Sequence, residues 1–468
     1  MLLYHSGESR EGIRKILEKG NKRVYFIGIG GVSMSSLALL LMRQGFTVLG
    51  SDRAESANIS RLRAAGAEIT LRQDGELLKA CAPSLVAYSL SVDSENGDYA
   101  AAVGMNIPTV SRAELMGLII DSFPLSVGVS GSHGKSTVTA LITHIFSEAK
   151  KNPTALLGAE GADGACELIG GEELVIYESC EYKNSFLNMI PTHQLILNCD
   201  LDHTDFFKSR GELCESFARC AENARSFVFL PYGTPELSFA RERAEGKAVT
   251  YGESPDADYY YREISCQNGR YSFAFSSAGV YLGEIKMSIA GRHNMENAVA
   301  AVAVAYHMGV GFRICKRAVE SFYGIPRRQE HIATLGKTAV IYDYAHHPKE
   351  IEATLKSLRL TGYGRIAVIF RPHTYSRTAS LMPEFSVALS DADLAVITDI
   401  YAAREQPVPG VSSRVLAEKI CKSGGNAYYM PEMEVAERLS EILSQGFDCI
   451  ILMGAGNLDI IKSKIIKK

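Results

Sequence analysis

The chain has 468 residues, 46% of them hydrophobic and 22% charged, with 41 glycines. At roughly 150 residues per domain this predicts about three domains, and such a composition buries a sizeable core, which excludes disorder over most of the length. Forty-nine basic side chains against 53 acidic ones leave a net charge of −4 with no Lys/Arg block, which argues against nucleic-acid binding through general electrostatics. The ten cysteines are scattered, and the closest pair, Cys214 and Cys220, lacks the spacing of a zinc knuckle or a CxxC redox site. The apolar run from Leu37 to Met42 is far too short to span a bilayer, and the polar start, 1–22, does not read as a signal peptide. A soluble cytoplasmic protein with reduced thiols is expected.

The first strand, predicted at 24–28, runs into Gly28-Ile-Gly-Gly-Val-Ser33, close to the dinucleotide fingerprint G-x-G-x-x-G but with Ser33 at the third glycine. A second strand, 47–50, is followed by Asp52, at about the distance expected of a ribose-binding carboxylate. Alone, this pattern fits an NAD-dependent dehydrogenase. It fits equally any diphosphate lying across a helix N-terminus, or a purely structural turn. A domain boundary is expected near 122–124.

The next strand, 125–129, leads into Ser130-Gly-Ser-His-Gly-Lys-Ser-Thr137 and then an apolar helical pattern. Strand, glycine turn, lysine, hydroxyl and helix make a phosphate loop of the short GxxGK[ST] form. Backbone N–H groups surround phosphate oxygens, Lys135 brings a point charge, and the Ser136 hydroxyl suits Mg²⁺. A second phosphate loop a hundred residues after the first makes two nucleotide sites a simpler account than a dehydrogenase.

Strands at 174–177 and 195–197 end in Glu178-Ser-Cys-Glu181 and in Asn198-Cys-Asp-Leu-Asp-His-Thr-Asp205, where α/β sheets carry their ligands. Glu181 offers the hard oxygen that Mg²⁺ prefers; a nitrogen ligand such as His203 is unusual for that ion. The tyrosine-rich, alternating segment 251–289, with turns at Asn268-Gly269 and Gly279, predicts antiparallel β structure inserted in the middle domain. Tyr259 to Tyr261 fit a half-buried strand better than base stacking. Gly291-Arg-His-Asn-Met-Glu-Asn297 opens an alanine-rich helix, 297–308, with another helical pattern at 317–322 and a boundary near 324–326. Further strands are expected at 338–342, 366–370, 394–398 and 449–453. The alternation with helices predicts an α/β fold with parallel sheets. His144, His193 and His307 lie in apolar contexts and are read as packing residues.

Taken in order, these motifs resemble the Mur ligases. To those above are added Asp343-Tyr-Ala-His-His-Pro348, Arg371-Pro-His-Thr-Tyr-Ser-Arg-Thr378, Asp399-Ile-Tyr-Ala-Ala-Arg-Glu405 and Gly454-Ala-Gly-Asn457. The likeness runs from about residue 22 onward. It implies three α/β domains: a Rossmann-like UDP-binding domain at 1–123, a central P-loop ATPase domain with the inserted β segment at 124–325, and a Rossmann-like C-terminal domain at 326–468. The implied cofactors are ATP and Mg²⁺, and the implied substrates UDP-N-acetylmuramate and L-alanine. ATP would phosphorylate the muramate carboxylate, and the amine of L-alanine would attack the acyl phosphate, a step of peptidoglycan precursor synthesis.

The resemblance also distributes roles. Gly131, Ser132, His133, Gly134, Lys135, Ser136 and Thr137 would bind ATP phosphates, with His293, Asn294, Asn297 and Arg328 completing the nucleotide site. Ser136, Glu181 and His203 would hold metal. Gly28, Gly30, Gly31, Ser33, Asp52, Ser89 and Arg112 would meet the UDP moiety, and His346, His347 and Arg377, on loops after C-terminal strands, the reacting end. Lys135, Glu181, His203, His347 and Arg377 form the expected catalytic set. Three departures stand out: Ser136 for the usual threonine, Tyr342-Asp343 for Asp-Asp, and Arg371 where a glutamine is common. The last two leave glycine or serine as rivals to L-alanine. A ligase that takes a whole peptide, or a non-catalytic nucleotide-binding paralogue, are the alternative readings; a monomer or weak homodimer is expected.

Overall fold

The computed structural model describes residues 9–89, 91–158, 165–203, 206–403, 405–456 and 458–466. Asp205, Arg404 and Asn457, which belong to three of the sequence motifs, lie outside the described residues. The chain divides into two compact units. The first comprises Met1–Ser130, Lys151–Gln194 and Arg219–Val228; the second comprises Gly131–Lys150, Leu195–Ala218 and Phe229–Lys468.

In the first unit, β1 (Arg23–Ile27), β2 (Thr47–Ser51), β3 (Glu68–Thr70), β4 (Leu85–Tyr88) and β5 (Thr109–Ser111) form a parallel sheet in the order β3-β2-β1-β4-β5. Four of the five residues in each of β1 and β2 are buried, as expected for strands covered by helices on both faces. The order reverses direction between β1 and β4, and the crevice beyond their C-terminal ends is where such sheets take ligands. The glycine turn from Gly28 to Gly31 stands there. The same unit holds β6 (Leu125–Ser130), β7 (Thr154–Leu156), β8 (Glu167–Leu168) and β9 (Leu174–Glu178), in the order β6-β9-β7-β8. The chain passes between the units within β10 (His193–Ile196) and β11 (Phe227–Pro231).

The second unit begins with the phosphate loop and the helix Lys135–Glu148. The helix Arg292–His307 packs on it through Met295 and the small side chains Ala298 to Ala305, all fully buried. β12 (Ala248–Gly252) pairs in parallel with β13 (Tyr259–Gln267), which continues antiparallel into β14 (Arg270–Ser277) and β15 (Val280–Lys286). The antiparallel segment expected from the tyrosine pattern is therefore an extension of a sheet edge at β12. Its tight turns need a positive φ at both central residues, found at Asn268 (51°) with Gly269 (70°) and at Ala278 (46°) with Gly279 (81°).

β16 (Glu330–Leu335), β17 (Thr338–Asp343), β18 (Ile366–Phe370), β19 (Leu394–Ile397), β20 (Ala427–Tyr429) and β21 (Cys449–Met453) make the last sheet, ordered β16-β17-β21-β18-β19-β20. Only β16 is antiparallel to its neighbour. Apolar cores cover both faces, one around Val368, Phe370 and Ile451, the other around Tyr342, Ile369 and Leu452. Because β21 lies between β17 and β18, the loops leaving β17, β18 and β21 gather at one sheet edge. That edge carries His346, His347 and Arg371.

Candidate active site

In the first unit the glycine turn is built by close approaches. Gly28 has φ 81°, and its N–H donates to the Ser51 carbonyl at 2.8 Å. A Cβ at Gly30 would stand 2.9 Å from Asp52 Oδ2 and 3.0 Å from Ile59. Gly31 caps the helix Val32–Arg43 without a side-chain hydrogen bond, the kind of helix start that can accept an anion. Asp52 is already engaged: Oδ2 accepts from Gly30 N at 2.7 Å and Oδ1 from Arg53 N at 2.7 Å. This carboxylate shapes the turn. Arg112 Nη1 donates to Ser33 Oγ at 3.3 Å, and Ser89 Cβ would lie 3.3 Å from a Cβ at Gly28. Gly28, Gly30, Gly31, Ser33, Asp52, Ser89 and Arg112 thus share one sheet edge. Glu181, 1% exposed, precedes the short turn Tyr182–Asn188 in this unit.

The phosphate loop opens the second unit. Gly131 (φ 139°) and Gly134 (φ 84°) adopt conformations that disfavour any Cβ, and one at Gly134 would meet Asn297 Oδ1 at 2.7 Å. The loop is fastened to the segment after β10. Ser132 Oγ donates to the Asp200 carbonyl at 2.6 Å; His133 N donates to Asn198 Oδ1 at 2.9 Å, and Asn198 Nδ2 returns a bond to the His133 carbonyl at 3.1 Å. Lys135 Nζ folds over the loop, donating to the Gly131 carbonyl at 2.5 Å. Ser136 and Thr137 follow in the first, buried turn of the helix. A cavity of about 660 Å³ extends from this loop, lined by Thr137, His293, Asn294, Asn297, Arg328 and Gln329 among others. Of the residues expected at the nucleotide, His133, Gly134, Thr137, His293, Asn294, Asn297 and Arg328 line it, while Gly131, Ser132, Lys135 and Ser136 do not. Tyr251 and Tyr261 close one wall, so the tyrosine strand contributes to the cavity while remaining a strand.

At the edge of the last sheet, Arg377 lies in the helix Tyr375–Ser380 and not in a loop as expected, and it is 8% exposed. Its Nε and Nη2 donate to Asp202 Oδ1 at 3.0 and 2.8 Å, while Nη1 meets His373 Nδ1 at 2.9 Å. Burial would raise the Asp202 carboxyl, but the Arg377 guanidinium beside it holds it far below the usual carboxylate range. His203, at φ 53°, is turned by a bond from its N–H to Asp202 Oδ1 at 2.7 Å.

Burial keeps several imidazoles neutral here. His346 is lowered to about 4, opposed by Glu350 and aided by Arg377; His293 is lowered to about 4 and His373 to about 3, each chiefly by burial. His347, which caps the helix Pro348–Leu360 by accepting from Lys349 N, is lowered as well. The His133 and His347 rings lie 4.7 Å apart.

Two family departures have structural roles. Tyr342 is fully buried, its hydroxyl 3.1 Å from the Gly456 carbonyl and accepting from Leu458 N at 3.3 Å. Arg371 pairs with Glu432 at 3.0 Å and lies over the Tyr401 ring. Sequence reasoning missed Asn198, Asp200, Lys349, Glu350 and His373. The signal for Glu350 is an acid in the first turn of a helix opened by His-Pro.

The chain matches three consecutive family descriptions: "Mur ligase family, catalytic domain" over 23–124, "Mur ligase middle domain" over 129–305, and "Mur ligase, glutamate ligase domain" over 327–456. It belongs to the Mur ligase family. A UDP-N-acetylmuramate–L-alanine ligase of Caldanaerobacter subterraneus subsp. tengcongensis is 38% identical over 452 residues, covering 96% of this chain and 98% of that one. One of Acetivibrio thermocellus is 38% identical over 454 residues, 95% of this chain and 96% of that one. Among solved structures, the UDP-N-acetylmuramate-alanine ligase of Thermotoga maritima superposes with a TM-score of 0.77 at 24% identity, over 95% of this chain and 98% of that one. A murein peptide ligase from Psychrobacter arcticus reaches 0.66 at 20% identity, over 95% and 99%. These structures share the fold, and the α/β class read from the sequence holds. No helix among the described residues is long and apolar enough to cross a membrane. Mur ligases are ATP-dependent carboxylate–amine ligases, which accounts for one chain carrying both a phosphate loop and a second nucleotide-type turn.

Proposed function

We propose that this Mur ligase joins L-alanine to the carboxylate of UDP-N-acetylmuramate, using ATP and an acyl-phosphate intermediate, in peptidoglycan precursor synthesis. The observation that carries this is the shared name of relatives 35–38% identical over at least 95% of the chain. The domain limits 1–123, 124–325 and 326–468 belong to the same reading, as do cytoplasmic location and a monomer or weak homodimer.

Chemistry supports the assignment. Phosphoryl transfer between two anions is limited by charge, so Lys135 and the loop N–H groups stabilise the transferred group. Magnesium takes oxygen donors; the resemblance to the family assigns that role to the Ser136 hydroxyl and the Glu181 carboxylate, with a nitrogen from His203. When bound, the ion would neutralise phosphate charge. Arg377, held by Asp202, presents a fixed guanidinium suited to a carboxylate.

The incoming amine must lose a proton. His346 Nδ1 lies 2.9 Å from the Tyr344 carbonyl, which requires a proton on Nδ1 and leaves Nε2 as an acceptor. His347 has the opposite tautomer, since its Nδ1 accepts from Lys349 N at 3.3 Å. His346 is therefore the proton acceptor of the pair, and His347 the donor.

The test is phosphate release from ATP with Mg²⁺ and UDP-N-acetylmuramate across L-alanine, glycine and L-serine, alongside Lys135→Ala. Release that needs both the nucleotide sugar and L-alanine, reduced about 100- to 1,000-fold in the variant, supports the ligase. Release with a different amino acid moves the specificity. No release despite binding of both nucleotides favours a non-catalytic paralogue.

A further inference from the structure

Glu350 stands in the first turn of the helix Pro348–Leu360, and its carboxylate is shared by three parts of the candidate site. Oε1 lies 3.2 Å from His133 Nδ1 in the phosphate loop and 3.7 Å from Arg328 Nη1 beside the nucleotide cavity. Oε2 accepts from His346 N at 3.0 Å, in the loop that carries the proton acceptor. The side chain is 12% exposed. We propose that Glu350 is a positioning residue that sets the phosphate loop and Arg328 against the histidine loop, so that ATP is held in register with the reacting end.

The geometry favours this over simple packing. A helix-capping acid needs only its own first-turn N–H groups, whereas here one oxygen is given wholly to groups remote in sequence, His133 and Arg328. Burial alone would raise the Glu350 carboxyl, and the neighbouring His346, His133 and Arg328 lower it well below the usual range. The neighbouring Lys349–Asp200 ion pair joins the same helix turn to the segment that fastens the phosphate loop. In Glu350→Gln the amide keeps the volume but carries one N–H₂ group. Whichever way it turns, that group faces an obligatory donor, either the Arg328 guanidinium or His346 N. Glu350→Asp keeps the charge with a shorter reach.

This rests on the ATP-dependent ligase reading, so the first measurement is independent of turnover: the affinity of each variant for a non-hydrolysable ATP analogue. By analogy with groups that orient ligand-binding side chains, the expected change is about 10- to 100-fold weaker binding in Glu350→Gln. In phosphate-release assays KM for ATP should rise while KM for the amino acid stays within about twofold, and Glu350→Asp should recover about tenfold of the loss. In the cycle with His133→Ala, the double variant should bind no worse than about twice as weakly as Glu350→Gln alone. Unchanged analogue binding in a folded Glu350→Gln variant, or additive losses with His133→Ala, would overturn the proposal. If Glu350→Gln does not fold, Glu350→Asp carries the test, and wild-type affinity there overturns it. A wild-type chain that binds the analogue but releases no phosphate refutes the ligase reading and leaves the binding result standing.

Discussion

Arg377 and Asp202, 175 positions apart, form a buried pair in which Nε and Nη2 of the guanidinium share one carboxylate oxygen at 3.0 and 2.8 Å. The side chains are 9% and 7% exposed. The pair fixes the arginine fork and ties the segment after β10 to the helix Tyr375–Ser380.

Truncating one side of such a pair leaves the other charge buried and unpaired. Asp202→Asn should lose about 3–5 kcal/mol of stability near pH 7. Asp202 is depressed in the folded state, so its contribution is complete above the ordinary carboxylate range near 4 and falls away as pH drops towards the folded value. Denaturant titrations from pH 3 to pH 7 should therefore show wild type and Asp202→Asn converging in acid. Parallel curves would contradict the pairing.

Asp343 shows the opposite shift. Burial raises it to about 6 against the opposing charge of Arg328, although Ala345 N and Thr354 Oγ1 donate to it. The unfolded chain ionises first, so wild-type stability should fall as pH rises from about 4 to about 6 on this account. Asp343→Asn should remove that segment of the pH dependence and be no less stable than wild type at pH 8. A thermal-melt series across pH 4–8 checks it.

Gly134→Ala forces a Cβ at φ 84° to within 2.7 Å of Asn297 Oδ1. The backbone share of the cost is about 1–2 kcal/mol. Gly309, at φ 87° with nothing within 4 Å, is the control. Both alanine variants should lose similar backbone stability, but only Gly134→Ala should weaken ATP binding. Equal ATP affinity in the two would show that the Asn297 contact is dispensable.

The tautomers distinguish the two adjacent histidines. His346→Ala should lower kcat about 100-fold, with recovery at alkaline pH where more of the amine is already free. His347→Asn, which retains a helix cap, should cost less than about tenfold in kcat. A pH–rate profile of both variants tests this; loss without alkaline recovery in His346→Ala would place the proton acceptor elsewhere.

Much of this molecule is legible from its residues in order. Buried Val/Ile runs such as 366–370 and 449–453 became strands at those bounds because they are apolar on both faces. Gly131 and Gly134 were legible from the GxxGK[ST] pattern between strand and helix, and the fold supplies their reason, a loop crowded by Leu197 and Asn297. The local phosphate-loop pattern singled out Lys135 and Ser136, and the resemblance pointed to Arg377. They did not reveal that Arg377 is buried and paired, because its partner stands 175 positions away.

What the sequence determined by itself are the elements, the two glycine turns and the family, since each depends on neighbours a few positions apart or on motif order. Only the tertiary structure decided which charges meet: Asp202 with Arg377, Glu350 with His133 and Arg328, Asp52 with the Gly30 amide. The first two arise around the edge where β21 inserts between β17 and β18 and gathers their loops, the third where the turn after β1 meets the end of β2. Charge interactions in a buried setting depend on distance and desolvation, and neither quantity exists until the chain is folded.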